Sequence, residues 1–134
     1  MSNEEPTIAN DELLARFILF SKWVRSDQTM KADAFIPHPY PDLSVTRHRG
    51  FTEEIIWQIG QTVADRRPAT LYGRADLLAT DVRKQSLAIV PRPVPDNLNH
   101  ACVLGWPEDK PTQKIKAMEL AMAARFLKRP AAKS

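Results

Sequence analysis

Two stretches of this chain hold most of the side chains able to do chemistry. The first, FIPHPYPDLSVTRHRG from Phe35 to Gly50, carries His38, His48, Arg47 and Arg49. The second, NLNHACVLGWP from Asn97 to Pro107, carries Asn99, His100, Cys102 and Trp106. A pair of histidines can act as base and acid near neutral pH, and an arginine can stabilise charge developing on a phosphoryl group. His38, His48 and His100 are therefore the candidate acid–base residues, with Arg47, Arg49 and Arg74 as anion clamps. Asp76 and Arg74 alternate onto one strand face and can line the same rim. Asn99 can fix the ring of its neighbour His100. Trp106, in a Gly-Trp-Pro turn, can anchor a ligand or partner.

Other chemistries have thinner support. A mononuclear zinc site needs three or four ligands, and the chain offers three histidines and one cysteine in all, so no metal ligands are assigned. Cys102 sits in an apolar run, where a thiol is usually inert packing. GxGxxG, P-loop, HExxH, CxxC, GxSxG and EF-hand patterns are absent, and no cofactor is expected.

Short strands and helices must position these groups. Pro37, Pro39 and Pro41 hold the chain extended up to Asp42. From Leu43 to Arg49 a strand is expected, with Leu43, Val45, Arg47 and Arg49 on one face and Ser44, Thr46 and His48 on the other. Its apolar end should enter a core and its cationic end reach a rim. Gly50 ends it. Thr52 then caps a helix running to Arg66, with Glu53 and Glu54 at the positive pole. Ile55, Ile56, Ile59 and Val63 form its apolar stripe, with Trp57 beside it. A strand leading into a helix N-terminus is a natural anion site, so phosphate is expected near Thr52. Gly60 inside this helix costs about 1 kcal/mol against alanine, which a close neighbour would explain.

Further along, Thr70 to Leu77, Ser86 to Val90 and Ala101 to Leu104 read as strands, with one helical turn between Leu78 and Lys84. The prolines at 91, 93 and 95 end the middle strand and should lie at a sheet edge or outside the sheet. The end of the Leu43 strand is expected near the start of the Ala101 strand, bringing Arg47 or His48 toward His100. Asp109 caps a last helix with Pro111 in its first turn. Ile115, Met118, Met122 and Phe126 form its core stripe; Lys110, Lys114, Arg125 and Lys128 form a second beside it, either a solvated face or a docking face for an acidic partner. Near the N-terminus, ELLARFILFSKWV reads as a helix toward Val24, though Phe17 to Phe20 also fits a short strand. Ala34 to Ile36 reads as extended.

The pattern predicts an α+β fold: a mixed or antiparallel sheet of about four to five short strands with two to three helices. One domain is expected over residues 10–129, with a disordered acidic tail at 1–9 and a second tail at 130–134. Apolar content of 43% and charged content of 26% fit a globular protein. No apolar run approaches the length a membrane helix needs. A polar, acidic start and a single cysteine point to a cytoplasmic location.

Net charge is +3, unevenly spread. The first twelve residues carry four acids and no base, leaving +7 for the remainder. A surface of that sign attracts phosphate or acidic partners. The sequence thus predicts a small cytoplasmic binding or accessory domain with a basic surface. It would dock on nucleic acid or on a larger protein complex and not on a membrane. The alternative is an enzyme acting on a phosphate-containing or nucleotide substrate through a His/Arg cluster.

Overall fold

A computed structural model describes residues 7–37 and 42–131. Six strands form one antiparallel sheet: β1 (Leu13–Ile18), β2 (Leu43–Arg47), β3 (Gly73–Leu78), β4 (Ala88–Pro91), β5 (His100–Leu104) and β6 (Arg125–Lys128). Their order is β4-β5-β2-β1-β3-β6. Three helices cover it: α1 (Glu53–Arg66), α2 (Ala79–Arg83) and α3 (Lys110–Ala123). The fold is α+β, with one strand more than the sequence pattern suggested.

The sheet divides two cores. On one face Leu14, Ile18, Leu43, Val45, Ala75, Leu77, Ala101 and Val103 pack beneath α2, α3 and a 3-10 turn at Ala32–Phe35. On the other face Ala15, Phe17 and Leu19 pack with Ile56, Ile59 and Ala64 of α1. Ile8, within the stretch expected to be a tail, is buried in the first core.

This two-sided burial explains why the N-terminal segment is a strand and not the expected helix. β1 is central and covered on both faces, so apolar residues occupy both alternation sets and the run reads as continuous. Ala34 and Phe35, expected to be extended, instead complete the 3-10 turn, and only Ile36 after them is extended.

The C-terminal helix differs more. Its buried residues are Ala117, Leu120 and Ala121, while Ile115, Met118 and Met122 are 60%, 48% and 79% exposed. The larger side chains suggested the core stripe, but the small ones make it, because alanine lets a helix backbone approach the sheet. The helix also stops at Ala123, and the chain turns into β6, so Phe126 packs from a strand. Asp109 caps α3 as expected, accepting from Thr112 N.

α1 keeps the expected cap and C-terminal end, but of its expected apolar stripe Ile55 is exposed and Val63 only partly buried. Thr52 accepts from Ile55 N, and the buried face is Ile56, Ile59, Gly60 and Ala64. A Cβ on Gly60 would lie 2.7 Å from the Phe17 ring, so the glycine permits close contact between α1 and β1. β4 and β6 are the sheet edges, which places the proline-rich run after Val90 at an edge.

Candidate functional site

Register places the candidate residues in one row. His100 of β5 pairs with Thr46 of β2, Thr46 with Ala15 of β1, Ala15 with Asp76 of β3, and Asp76 with Arg125 of β6. Residues paired across a sheet share a face, so the row lies on the α1 side. His48 follows β2 on the same face by alternation. Arg74, two residues before Asp76, also belongs there.

The α1 end of this row is an ion network. His48 Nε2 lies 2.9 Å from Asp76 Oδ1. Arg74 Nε donates to the same carboxylate at 3.1 Å, and Arg74 Nη2 donates to Glu53 Oε1 at 2.9 Å. The Arg74 guanidinium stacks 4.7 Å from the Trp57 ring centroid, and its side chain is 1% exposed. Burial pulls its pKa down, but the hydrogen bonds it donates to Glu53 and Asp76 outweigh that and raise it. Arg74 in turn holds the Glu53 carboxyl below the usual carboxylate range. Near the anion site expected at Thr52, the candidate clamp Arg74 is thus already paired with the chain's own carboxylates. Glu53 supplies negative charge at the helix N-terminus and Asp76 completes the pairing.

On the opposite face, Arg47 makes a bidentate pair with Glu12, at 2.6 Å and 2.9 Å. Asn99 ties the two strand ends: its backbone carbonyl accepts from Arg47 N, and its Nδ2 donates to the carbonyls of Arg47 and Arg49. Arg49 itself is exposed. The expected proximity of the β2 end and the β5 start is present, with His100 opposite Thr46. Arg47 points to the other side of the sheet from His100, because it adjoins Thr46 along the strand.

His100 Nδ1 lies 2.9 Å from the Arg92 carbonyl oxygen, which can only accept, so Nδ1 carries the proton. Asn99 does not orient this ring. Trp106 donates Nε1–H to Val103 O at 3.0 Å and packs half-buried against the first core. Cys102 is buried, which pushes its thiol pKa up, with Asp42 adding to the effect. His38 lies outside the described residues. Among the described residues, no cluster of three or more His, Cys, Asp or Glu is placed to hold a metal ion.

The geometry brings His48, Arg74 and Asp76 into direct contact, and sets His100, Asn99 and Arg47 along the adjoining strand ends. Glu12, Glu53 and Asn97 complete these networks and were not among the sequence candidates. Asn97 is buried and donates Nδ2–H to Thr46 Oγ1 at 2.8 Å. Glu53 had a visible signal in its place after the Thr52 cap; Glu12 and Asn97 had none, since their partners lie at least 35 residues away.

Comparison with known proteins finds no matching family model, no matching curated protein and no matching solved structure.

Proposed function

We propose that this chain is a binding domain without chemistry of its own, docking on an acidic amphipathic helix of a larger protein through the outward face of α3. One observation carries the reading: α3 is apolar on two sides. Ala117, Leu120 and Ala121 face the sheet, while Ile115, Met118 and Met122 face outward and are exposed. At 100° per residue these three fall within about 60° of one another. A surface helix normally keeps its outer side polar. Methionine-rich helix faces suit partner helices because the flexible thioether side chain adapts to their relief.

Charge favours the sign of the partner. Lys114 borders the apolar stripe on one side and Glu119 on the other, and Arg125 follows its C-terminal end, all exposed. A parallel pair of α3 helices would set Lys114 against Lys114, whereas an acidic flank on a different protein complements it. Nucleic acid fits this face less well, because the stripe holds no aromatic ring for base stacking.

A photo-crosslinking residue at position 118, introduced in the protein's native cells, tests this. The expected result is a defined protein adduct that disappears when Met122→Lys is added. Adducts only with nucleic acid, or only with a second copy of the chain, would overturn the reading.

A further inference from the structure

β1 and β2 pair through Leu14↔Arg47 and Ala15↔Thr46, with His48 N also donating to Leu13 O. Beyond Ala15 and Thr46 they separate, and Arg16 occupies the opening. Its Nε donates to Ala34 O at 2.9 Å and its Nη1 to Ser44 O at 3.2 Å. The guanidinium lies 5.6 Å from the Trp23 ring centroid. Arg67, at the C-terminal cap of α1, lines the same opening. Among the described residues no carboxylate forms an ion pair with either arginine. That distinguishes them from Arg47, Arg74 and Arg92, whose carboxylate partners are Glu12, Asp76 and Asp42.

The opening holds a cavity of about 160 Å³. Phe17, Leu19 and Val63 give it apolar walls, and Thr46 and His100 contribute to its floor. Thr46 Oγ1 accepts from Asn97, so its own hydrogen is left to donate elsewhere. Burial first, and then the charge of Arg67, lower the Arg16 pKa to about 10. Two cations facing one another across a partly desolvated space create a demand for negative charge.

The size of that charge is set by the surroundings. The helix end that abuts the cavity is the C-terminus of α1, the negative pole of its dipole, which disfavours a second negative charge. Among the described residues that line it there is no glycine-rich loop or helix N-terminus to supply the amide donors a phosphate usually takes. The geometry points to a binding site for a small organic carboxylate, its carboxylate held between Arg16 and Arg67 and its apolar body against Phe17, Leu19 and Val63. Planar guanidinium groups match a carboxylate in both shape and charge. The site is separate from the outward face of α3, so either assignment can fail alone.

Benzoate, acetate and inorganic phosphate serve as probes in titrations of the intact protein followed by amide NMR shifts. Benzoate is expected to bind saturably, with shifts concentrated around Arg16 to Leu19, Ser44 to Thr46 and Val63 to Arg67. Acetate lacks the apolar body and phosphate carries excess charge, so both should bind more weakly. Arg67 is exposed, so Arg67→Ala should fold normally and weaken benzoate about tenfold. Arg16→Lys keeps charge but loses the planar fork, and should weaken binding without abolishing the fold. The assignment is overturned by unchanged benzoate affinity in Arg67→Ala, by shifts that map elsewhere, by acetate or phosphate binding as tightly as benzoate, or by no saturable binding of any probe.

Discussion

His48 and Asp76 meet across a strand that separates them: His48 Nε2 lies 2.9 Å from Asp76 Oδ1, and Ala15 of β1 pairs with Asp76 on one side and with Thr46, two residues before His48, on the other. The smallness of Ala15 leaves room for this contact over the sheet. Asp76 also receives Arg74, so one carboxylate joins the end of β2 to β3 and, through Arg74 and Glu53, to the start of α1.

Removing that carboxylate should be costly. Arg74 is 1% exposed, and Asp76→Ala leaves its guanidinium with only the Glu53 side of its pairing. A loss of about 3 kcal/mol in unfolding free energy is expected from breaking a buried charge pair by one partner. Denaturant titration checks it, and a loss below about 1 kcal/mol would mean that Glu53 alone satisfies Arg74.

Much of this site was legible because its parts are local. The alternation from Leu43 to His48 separates Arg47 from His48, and Thr52 with Glu53 marks the helix start; both hold in the structure. Arg74 and Asp76 share a face because they are two apart on a strand. What sequence could not supply was pairing at long range, as in Glu12 with Arg47 or Asn97 with Thr46. β1 was obscured for a different reason: a strand covered on both faces loses the period-two signal. In α3 the error came from weighting residue size, since a helix lying close to a sheet selects alanine for the contact.

Acid should act through Glu53. Its folded pKa is depressed, chiefly by the hydrogen bond from Arg74. A depressed carboxylate contributes stability above its unfolded pKa, here 4.5, and loses it as pH falls through the folded value. Asp27 and Asp109, lowered by hydrogen bonds from Thr29 and Thr112, act in the same direction. Unfolding free energy should therefore drop below the unfolded carboxylate pKa. Glu53→Gln should be less stable than the parent near neutrality and converge toward it in acid. Parallel pH profiles for the two proteins would contradict the pairing.

The two sides of α3 should respond oppositely to substitution. Met122 is 79% exposed, so Met122→Asp should change stability by no more than about 0.5 kcal/mol. Leu120 is fully buried, and Leu120→Ala should cost about 2–5 kcal/mol through lost contacts and a cavity. Thermal melts of both variants test the orientation of the helix directly. Similar losses in the two would mean that Met122 packs against the domain after all.

Gly60 offers the sharpest test of how α1 sits on the sheet. In an exposed helix interior, glycine to alanine should stabilise by about 1 kcal/mol. Here the added Cβ would come within 2.7 Å of the Phe17 ring and 3.2 Å of Leu71 Cδ2. Phe17 is 7% exposed and Gly60 is buried, so neither the ring nor the helix can yield without moving its neighbours. Overpacking of this kind costs about 1–3 kcal/mol, which exceeds the helix-propensity gain. Gly60→Ala should therefore destabilise the domain. Phe17→Leu alone should also destabilise, by leaving a void over the glycine. Together they should be less harmful than their sum, because the alanine methyl enters space the ring has vacated. A coupling of about 1 kcal/mol or more in the double-mutant cycle is expected for residues in such contact. Strict additivity would place Phe17 away from Gly60 and undo the packing of α1 on β1.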